Sequence, residues 1–239
     1  MNFDRFSRQI ILPEVGLSGQ VQISQSQITI IGAGGLGCPA AFYLAAAGIG
    51  RIKIIDFDLI EASNLNRQIA FGVDDIGKFK AETLAKLLSL KYNDIQIEFL
   101  CEKIKPENVS SIFKGSDFVM DCTDNFDARY LINDYCREYK IPSIIGSLFR
   151  FEGQICTFNR SIDNNFLEGK CYRTIFPEKP EKDEVPNCSE TGIIGTIAGN
   201  LGTVMAWEYL KMVLNMKEKL DCNLIYVDSL NHRTSIINI

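Results

Sequence analysis

Histidine and tryptophan occur once each in the 239 residues, as His232 and Trp207. A single imidazole leaves no two-histidine metal site and no relay that needs a second histidine. No apolar run approaches the roughly 20 residues of a membrane span. The N-terminal MNFDRFSRQI carries charges where a secretory leader needs an apolar core, so a cytoplasmic protein with no membrane partner is expected. Basic charge is not in excess either: 25 Lys and Arg stand against 30 Asp and Glu, a net −5 with no basic cluster, which argues against a nucleic-acid partner. The eight cysteines are scattered, several within apolar strand or helix patterns, so free thiols serving as small hydrophobes are expected rather than a disulfide framework.

What is present is a chain with 46% hydrophobic residues, enough for a full core, and an alternation of strand and helix patterns that reads as α/β. The organising stretch is Ile28 to Asp58. A β-branched run, Ile28 to Ile31, breaks into Gly32-Ala33-Gly34-Gly35-Leu36-Gly37, and an apolar Ala-rich segment follows as far as Gly48. A second run, Arg51 to Ile55, ends in Asp56, roughly 20 residues beyond the last glycine, where a ribose-binding carboxylate is expected. Glycines let backbone approach phosphate, a helix N-terminus supplies free N–H donors and a positive dipole, and the acid accepts ribose hydroxyls. A nucleotide is therefore expected, and taken alone the turn most often means a dinucleotide, NAD or FAD.

Further along, Phe3 to Ile11 predicts a short amphipathic helix with Arg5, Ser7 and Arg8 on its polar face, and Ala81 to Leu90 another helix. Ile95 to Leu100, Asp117 to Cys122 and Ile141 to Ser147 predict strands, with a helix from Phe126 to Tyr139 capped by Thr123, Asp124 or Asn125. Gly153 to Asn159 alternates like an antiparallel strand, and Ser161 to Asn187 reads as a long mobile loop, a candidate lid or docking strap. Thr191 to Asn215 predicts a helix in which Gly199 and Gly202 permit close packing and Trp207 belongs to the core. Asn223 to Val227 and Thr234 to Ile239 predict a terminal hairpin, with His232 in its turn. The expected fold is a Rossmann-like, mostly parallel sheet flanked by helices, with an antiparallel C-terminal extension. One domain of 239 residues is expected: a helical arm (1–25), a nucleotide-binding core (26–160), a crossover loop (161–190) and a C-terminal helix and hairpin (191–239). Ligands of open α/β sheets bind at the carboxyl ends of strands, so Asp56, Asp58, Asn64, Arg67, Lys80 and Asp124 are candidates to converge on one crevice.

FSRQI (Phe6 to Ile10), GAGGLG (Gly32 to Gly37), DFD (Asp56 to Asp58), SNLNRQ (Ser63 to Gln68), GKFKAE with Lys80, DCTDN (Asp121 to Asn125) and PNCSETGIIG (Pro186 to Gly195) together resemble the ThiF/MoeB/HesA proteins, bacterial relatives of ubiquitin-activating enzymes. The resemblance spans most of the chain in the family's order. It implies a homodimeric enzyme that uses ATP and Mg²⁺ to adenylate the C-terminal glycine of a small ubiquitin-like sulfur carrier protein ending in Gly-Gly, for thiamin or molybdopterin sulfur transfer. By similarity Arg67 and Lys80 contact phosphates, Asp124 holds Mg²⁺, Asp56 holds the ribose, and Asp58, Asn64 and Gln68 are further nucleotide contacts. Gly34 and Gly35 line the backbone approach. Arg8 matches an arginine that reaches the site from the other protomer, and Cys188 matches a cysteine used in acyl-disulfide or thioester chemistry by some members. Many relatives carry a structural zinc on two Cys-x-x-Cys pairs; here the first reads Cys171-Tyr172-Arg173-Thr174 and the chain stops at Ile239 before the second, so no structural zinc is expected. Adenylation of a peptide or of a tRNA-linked carboxylate, and an NAD-dependent oxidoreductase, are the competing readings.

Overall fold

A computed structural model of the chain describes residues 3–158, 161–162, 165–166, 170–180, 192–216 and 223–238. Five parallel strands lie side by side: β1 (Gln27–Ile31), β2 (Arg51–Ile55), β3 (Gln96–Leu100), β4 (Val119–Asp121) and β5 (Ser143–Phe149). Beyond β5, β6 (Glu152–Phe158), β9 (Asn223–Asp228) and β10 (Arg233–Asn238) continue the same sheet antiparallel, in the order β10-β9-β6-β5-β4-β1-β2-β3. A separate ladder of β7 (Ser161–Ile162) and β8 (Asn165–Phe166) follows β6. This is the expected architecture, and β1 sits near its middle because its run of β-branched residues suits a strand covered on both faces.

One face carries α3 (Gly37–Ala47), α4 (Lys80–Lys91) and α8 (Gly195–Val213), packed on Ile28, Ile30, Ile52 and Ile54. The other carries α5 (Val109–Phe113) and α6 (Phe126–Glu138), packed on Ile31, Ile55 and Val119. The small residues of α3 are almost all buried and let α8 approach. A Cβ on Gly202 would lie 2.4 Å from the Leu36 carbonyl oxygen, so that position admits only glycine, whereas Gly199 faces open space and is not needed for packing.

The N-terminal helices α1 (Phe3–Ile10) and α2 (Gly16–Gln25) close the far end of α3. Phe6 is buried against Gly48, and Arg5 donates to the Ala45 carbonyl while pairing with Asp94. Gln9 and Gln20 both donate to the Ala47 carbonyl, at 3.1 and 3.0 Å. Arg5 is thus an anchor rather than part of a solvated face. A helix leaves its last carbonyls short of partners, and here Gln9 and Gln20 satisfy that of Ala47 while Arg5 adds a second donor to that of Ala45, which also accepts from the Gly48 N–H.

Two expectations need correction. Trp207 is 46% exposed, because the buried stripe of α8 runs through Ile197, Leu201, Met205 and Tyr209, and a residue two positions from Met205 points away from it. The core aromatic is Tyr209, whose hydroxyl donates to the Gln27 carbonyl. The stretch 161–187 is also not one structureless loop. It contains β7, β8 and α7 (Tyr172–Ile175), and residues 170–180 pack against α6. The C-terminal hairpin is as expected, with His232 in the turn at φ +53°. Among the described residues no helix is long and apolar enough to cross a membrane.

Candidate active site

The carboxyl ends of β1, β2, β4 and β5 open into a cleft of about 820 Å³. Its floor is the glycine turn. Gly32 has φ +97° and a Cβ there would press on the Cys122 carbonyl at 2.7 Å, while a Cβ on Gly37 would fall 1.9 Å from the Gly32 oxygen. These two glycines allow the turn to form. Gly34 differs: a Cβ there would meet only the Gln68 side chain, at 3.7 Å, so its missing side chain leaves room for something in the cleft. The turn delivers the chain into the first residues of α3, whose N-terminus faces the opening.

Asp56 ties this turn to the end of β2. Its carboxylate accepts from the Ala33 N–H at 2.7 Å and from the Asp58 N–H at 2.8 Å. Burial raises its pKa above the ordinary value, opposed by those two N–H groups and by the nearby Lys80 ammonium. Asp58 in turn holds Lys80: the Lys80 Nζ donates to its carboxylate at 2.9 Å and the Lys80 N–H to its carbonyl at 3.0 Å. Lys80 is only 7% exposed, so it is not a solvated lysine at a helix start. The loop between these residues, closed at its neck by a bridge between Leu59 and Phe79, carries Arg67 and Gln68 into the cleft. Arg67 Nη1 donates to the Ser63 carbonyl at 2.8 Å, and its backbone lies so close to the start of α8 that a Cβ on Gly195 would be 3.0 Å from the Arg67 Cα. The buried Gln68 Oε1 has no hydrogen-bond partner, an acceptor left at the cleft wall.

Opposite lies the turn after β4. Asn125, not Asp124, caps α6, accepting from the Ala128 N–H at 2.9 Å, so the exposed Asp124 carboxylate is left facing the cleft. Before it, the fully buried Asp121 accepts from both the N–H and the hydroxyl of Thr123, at 2.8 and 2.6 Å, and burial raises its pKa against the pull of Arg129. Under the glycine turn, burial pushes the Cys38 thiol up to about 12 and the Cys122 thiol upward as well, so neither is a ready thiolate. Among the described residues no three His, Cys, Asp or Glu side chains are grouped to hold a metal. A hard cation at Asp124 would draw its remaining oxygens from phosphate and water, as Mg²⁺ does at many nucleotide sites.

A profile of the ThiF family matches residues 6–239. The chain belongs to the ThiF family. It is 41% identical over 228 residues to the SAMP-activating enzyme E1 of Haloferax volcanii, covering 95% of this chain and 82% of that protein. It is 37% identical to the sulfur carrier protein adenylyltransferase of Thermus thermophilus, covering 95% and 83%. Against adenylyltransferase and sulfurtransferase MOCS3 of Xenopus laevis the identity is 38% over 98% of this chain but 51% of the relative, so the chain spans about half the length of that protein. Escherichia coli MccB with MccA-N7isoASN has the same fold at TM-score 0.82 and 21% identity, covering all of this chain and 72% of that one. MccB with ATP superposes at TM-score 0.74 and 22% identity, over 92% and 64%.

In this ThiF-family chain, Gly34, Gly35, Asp56, Asp58, Arg67, Gln68, Lys80 and Asp124 all line the one cleft. Asn64 does not; it is buried, and its Oδ1 accepts from the Glu61 N–H to close the turn that carries Arg67. Arg8 is exposed on α1, outside the cleft of its own chain, and Cys188 lies outside the described residues. Sequence reasoning assigned no role to Asp121, Arg129 or Tyr172, which also line or underlie the cleft. The available signal was two polar residues four apart, Arg129 and Asn133, on the buried side of α6.

Proposed function

We propose that the chain is a sulfur carrier protein adenylyltransferase: it transfers AMP from ATP to the C-terminal glycine carboxylate of a small ubiquitin-like carrier ending in Gly-Gly, releasing pyrophosphate. The observation that carries this reading is the convergence of Arg67, Lys80 and Asp124 around the open Gly34 cradle in one cleft. The names of the relatives at 37–41% identity support the reaction class. A nicotinamide site has no need of two cations and a facing carboxylate at that place.

The chemistry follows from charge. The carrier carboxylate attacks the α-phosphorus, a new C–O–P link forms, and the bond to the bridging oxygen breaks as pyrophosphate leaves. Two anions must approach each other, so fixed cations dominate the stabilisation. The Lys80 ammonium has three donors and spends one on Asp58, leaving the others for phosphate oxygens. Arg67 presents its guanidinium from the turn pinned by Gly195. The first turn of α3 and the backbone at Gly34 receive phosphate, with the Gln68 Nε2 beside that opening, 3.7 Å from where a Gly34 Cβ would stand. Asp124 would hold Mg²⁺, which would supply neutralisation of the triphosphate charge. No strong general base is needed, because the attacking carboxylate is already ionised.

The proposal includes a cytoplasmic homodimer in which Arg8 of the partner completes the site, in line with its exposure and its place outside the lining of its own cleft. It assigns Cys188 to the later sulfur-transfer chemistry. It assigns no structural zinc, since Thr174 stands where a second thiolate would be and its hydroxyl accepts from the Cys171 N–H. The test is ATP–pyrophosphate exchange with thiamin-type and molybdopterin-type carriers ending in Gly-Gly. Exchange that depends on one carrier supports the reading and names its pathway; no exchange with any of them, in a protein that binds ATP, defeats it.

A further inference from the structure

Arg129 sits one turn into α6 and is 5% exposed, a buried guanidinium lining the cleft. Its Nη2 donates to the Thr123 carbonyl at 2.8 Å and approaches the Gly146 carbonyl of β5 at 3.3 Å. Its Nε lies 3.6 Å from Asp121 Oδ2, and its plane rests between the rings of Phe126 and Tyr172, at 5.7 and 5.8 Å. Asp121 meanwhile takes the N–H and the hydroxyl of Thr123. Thr123 is therefore gripped on both its N–H and its C=O. Asn125, two residues on, is fixed as the cap of α6. Between those two fixed residues stands Asp124, its carboxylate directed to the cleft.

A charge is costly to bury unless it is paired and hydrogen-bonded, and a hydrophobic side chain of similar volume would serve packing as well or better. What the pair adds is directional: a planar guanidinium joins the turn to β5 and to the Tyr172 ring in one geometry, which a lysine cannot reproduce. From this we infer that Arg129, acting with Asp121, is a positioning residue that sets the Thr123-Asp124 backbone and so aims the Asp124 carboxylate at the metal and phosphates. The inference rests on the adenylation reading of the same cleft. Partners that orient a metal-bound carboxylate are commonly worth about 10–100-fold in metal affinity or activity.

The test is calorimetric binding to the full chain of AMP, and of ATP with and without Mg²⁺, alongside pyrophosphate exchange. Arg129→Lys keeps the charge and most of the volume. The expected result is an unchanged AMP affinity, a loss of about tenfold or more in the affinity that Mg²⁺ adds to ATP, and a rise of similar size in the KM for ATP in pyrophosphate exchange. Asp124→Asn should lose the same Mg²⁺ gain outright. If Arg129→Lys does not fold, Thr123→Val removes the hydroxyl from Asp121 and should show the same pattern in weaker form. A folded Arg129→Lys, or Thr123→Val in its place, that retains the full Mg²⁺ gain overturns the inference while leaving adenylation intact. AMP affinity falling in step with Mg²⁺-ATP affinity overturns it too, because that is the signature of a merely structural residue. A wild type in which Mg²⁺ adds nothing to ATP binding overturns the Asp124 assignment and this inference together.

Discussion

The two walls of the cleft are built in different ways. The inner wall, from Gly32 to Asp58, is held by backbone. The Gly32 N–H donates to the Ile55 carbonyl at 2.8 Å, the Asp56 carboxylate takes two further N–H groups, and the strands beneath are among the most buried of the molecule. The outer wall, residues 170–180, is held on α6 largely by side chains. Arg173 forms a two-pronged pair with Asp134, at 2.7 Å on each prong, and Lys179 pairs with Asp127. The Tyr130 hydroxyl sits 2.9 and 2.8 Å from the Phe176 and Glu178 carbonyls, donating to one at a time, and the Tyr172 N–H reaches Asn133. The charged members of this clasp are partly solvated, and such pairs are individually worth under about 1 kcal/mol. The inner wall cannot shift without breaking the core, whereas the outer wall joins a polar clasp at its rim to Tyr172, Ile175 and Phe176 packed on the small cluster of Tyr130, Ile145 and Phe158. The polar rim of the outer wall is thus the part of the cleft that solvent and pH reach most directly.

The comparison is broken most severely at the charged groups of the seat. Arg67→Ala, Lys80→Ala or Asp124→Ala is expected to lower carrier-dependent pyrophosphate exchange by about 100-fold or more, with the fold retained by circular dichroism. On the inner wall, Gly37→Ala sets a Cβ against the Gly32 oxygen at 1.9 Å and should cost about 4 kcal/mol or more in urea unfolding. Gly34→Ala sharpens the distinction: it has room in the free protein, so the unfolding midpoint should hold while ATP affinity falls by about tenfold, roughly 1.4 kcal/mol. On the outer wall, Asp134→Ala should shift unfolding by no more than about 1 kcal/mol and yet raise hydrogen exchange in residues 171–179.

The smallest effect is that of pH on the clasp. The Arg173 guanidinium holds the Asp134 carboxylate below its ordinary pKa of 3.8. A depressed folded pKa stabilises above the unfolded value and loses that contribution as pH falls through the folded one. Protection of residues 171–179 should therefore be full at neutral pH and decline below pH 3.8, while that of the glycine turn does not follow the same titration.

How much of this was legible in the sequence follows the same division. The strand, glycine turn and helix of the inner wall are contiguous, and their spacing alone predicted them. The place of Arg67, Lys80 and Asp124 after the carboxyl ends of strands then predicted that they share one cleft, and the family resemblance added their roles. The outer wall escaped because its contacts join residues far apart in sequence: Arg173 to Asp134, Tyr172 to Asn133, Tyr130 to Phe176. No local period announces such pairs, so 161–187 read as loop. Trp207 was misplaced for a simpler reason: hydrophobicity was weighed without helical phase, and the stripe through Met205 and Tyr209 leaves it facing outward. Arg129 escaped because a charged residue on an apolar helix face reads as an exception until its partners are visible.

The arm at the start of the chain gains a meaning from the far end of α3. A helix is one electrical object, positive at its start and negative at its finish. The finish of α3 is where Arg5 brings a cation to the Ala45 carbonyl and Gln9 and Gln20 occupy the Ala47 carbonyl. The start faces the cleft that would receive phosphate. Residues 3–20 thus act as ballast on a lever whose other arm faces the cleft, and the stretch that places Arg8 outward is the same one that, through Gln9, grounds the helix beneath it.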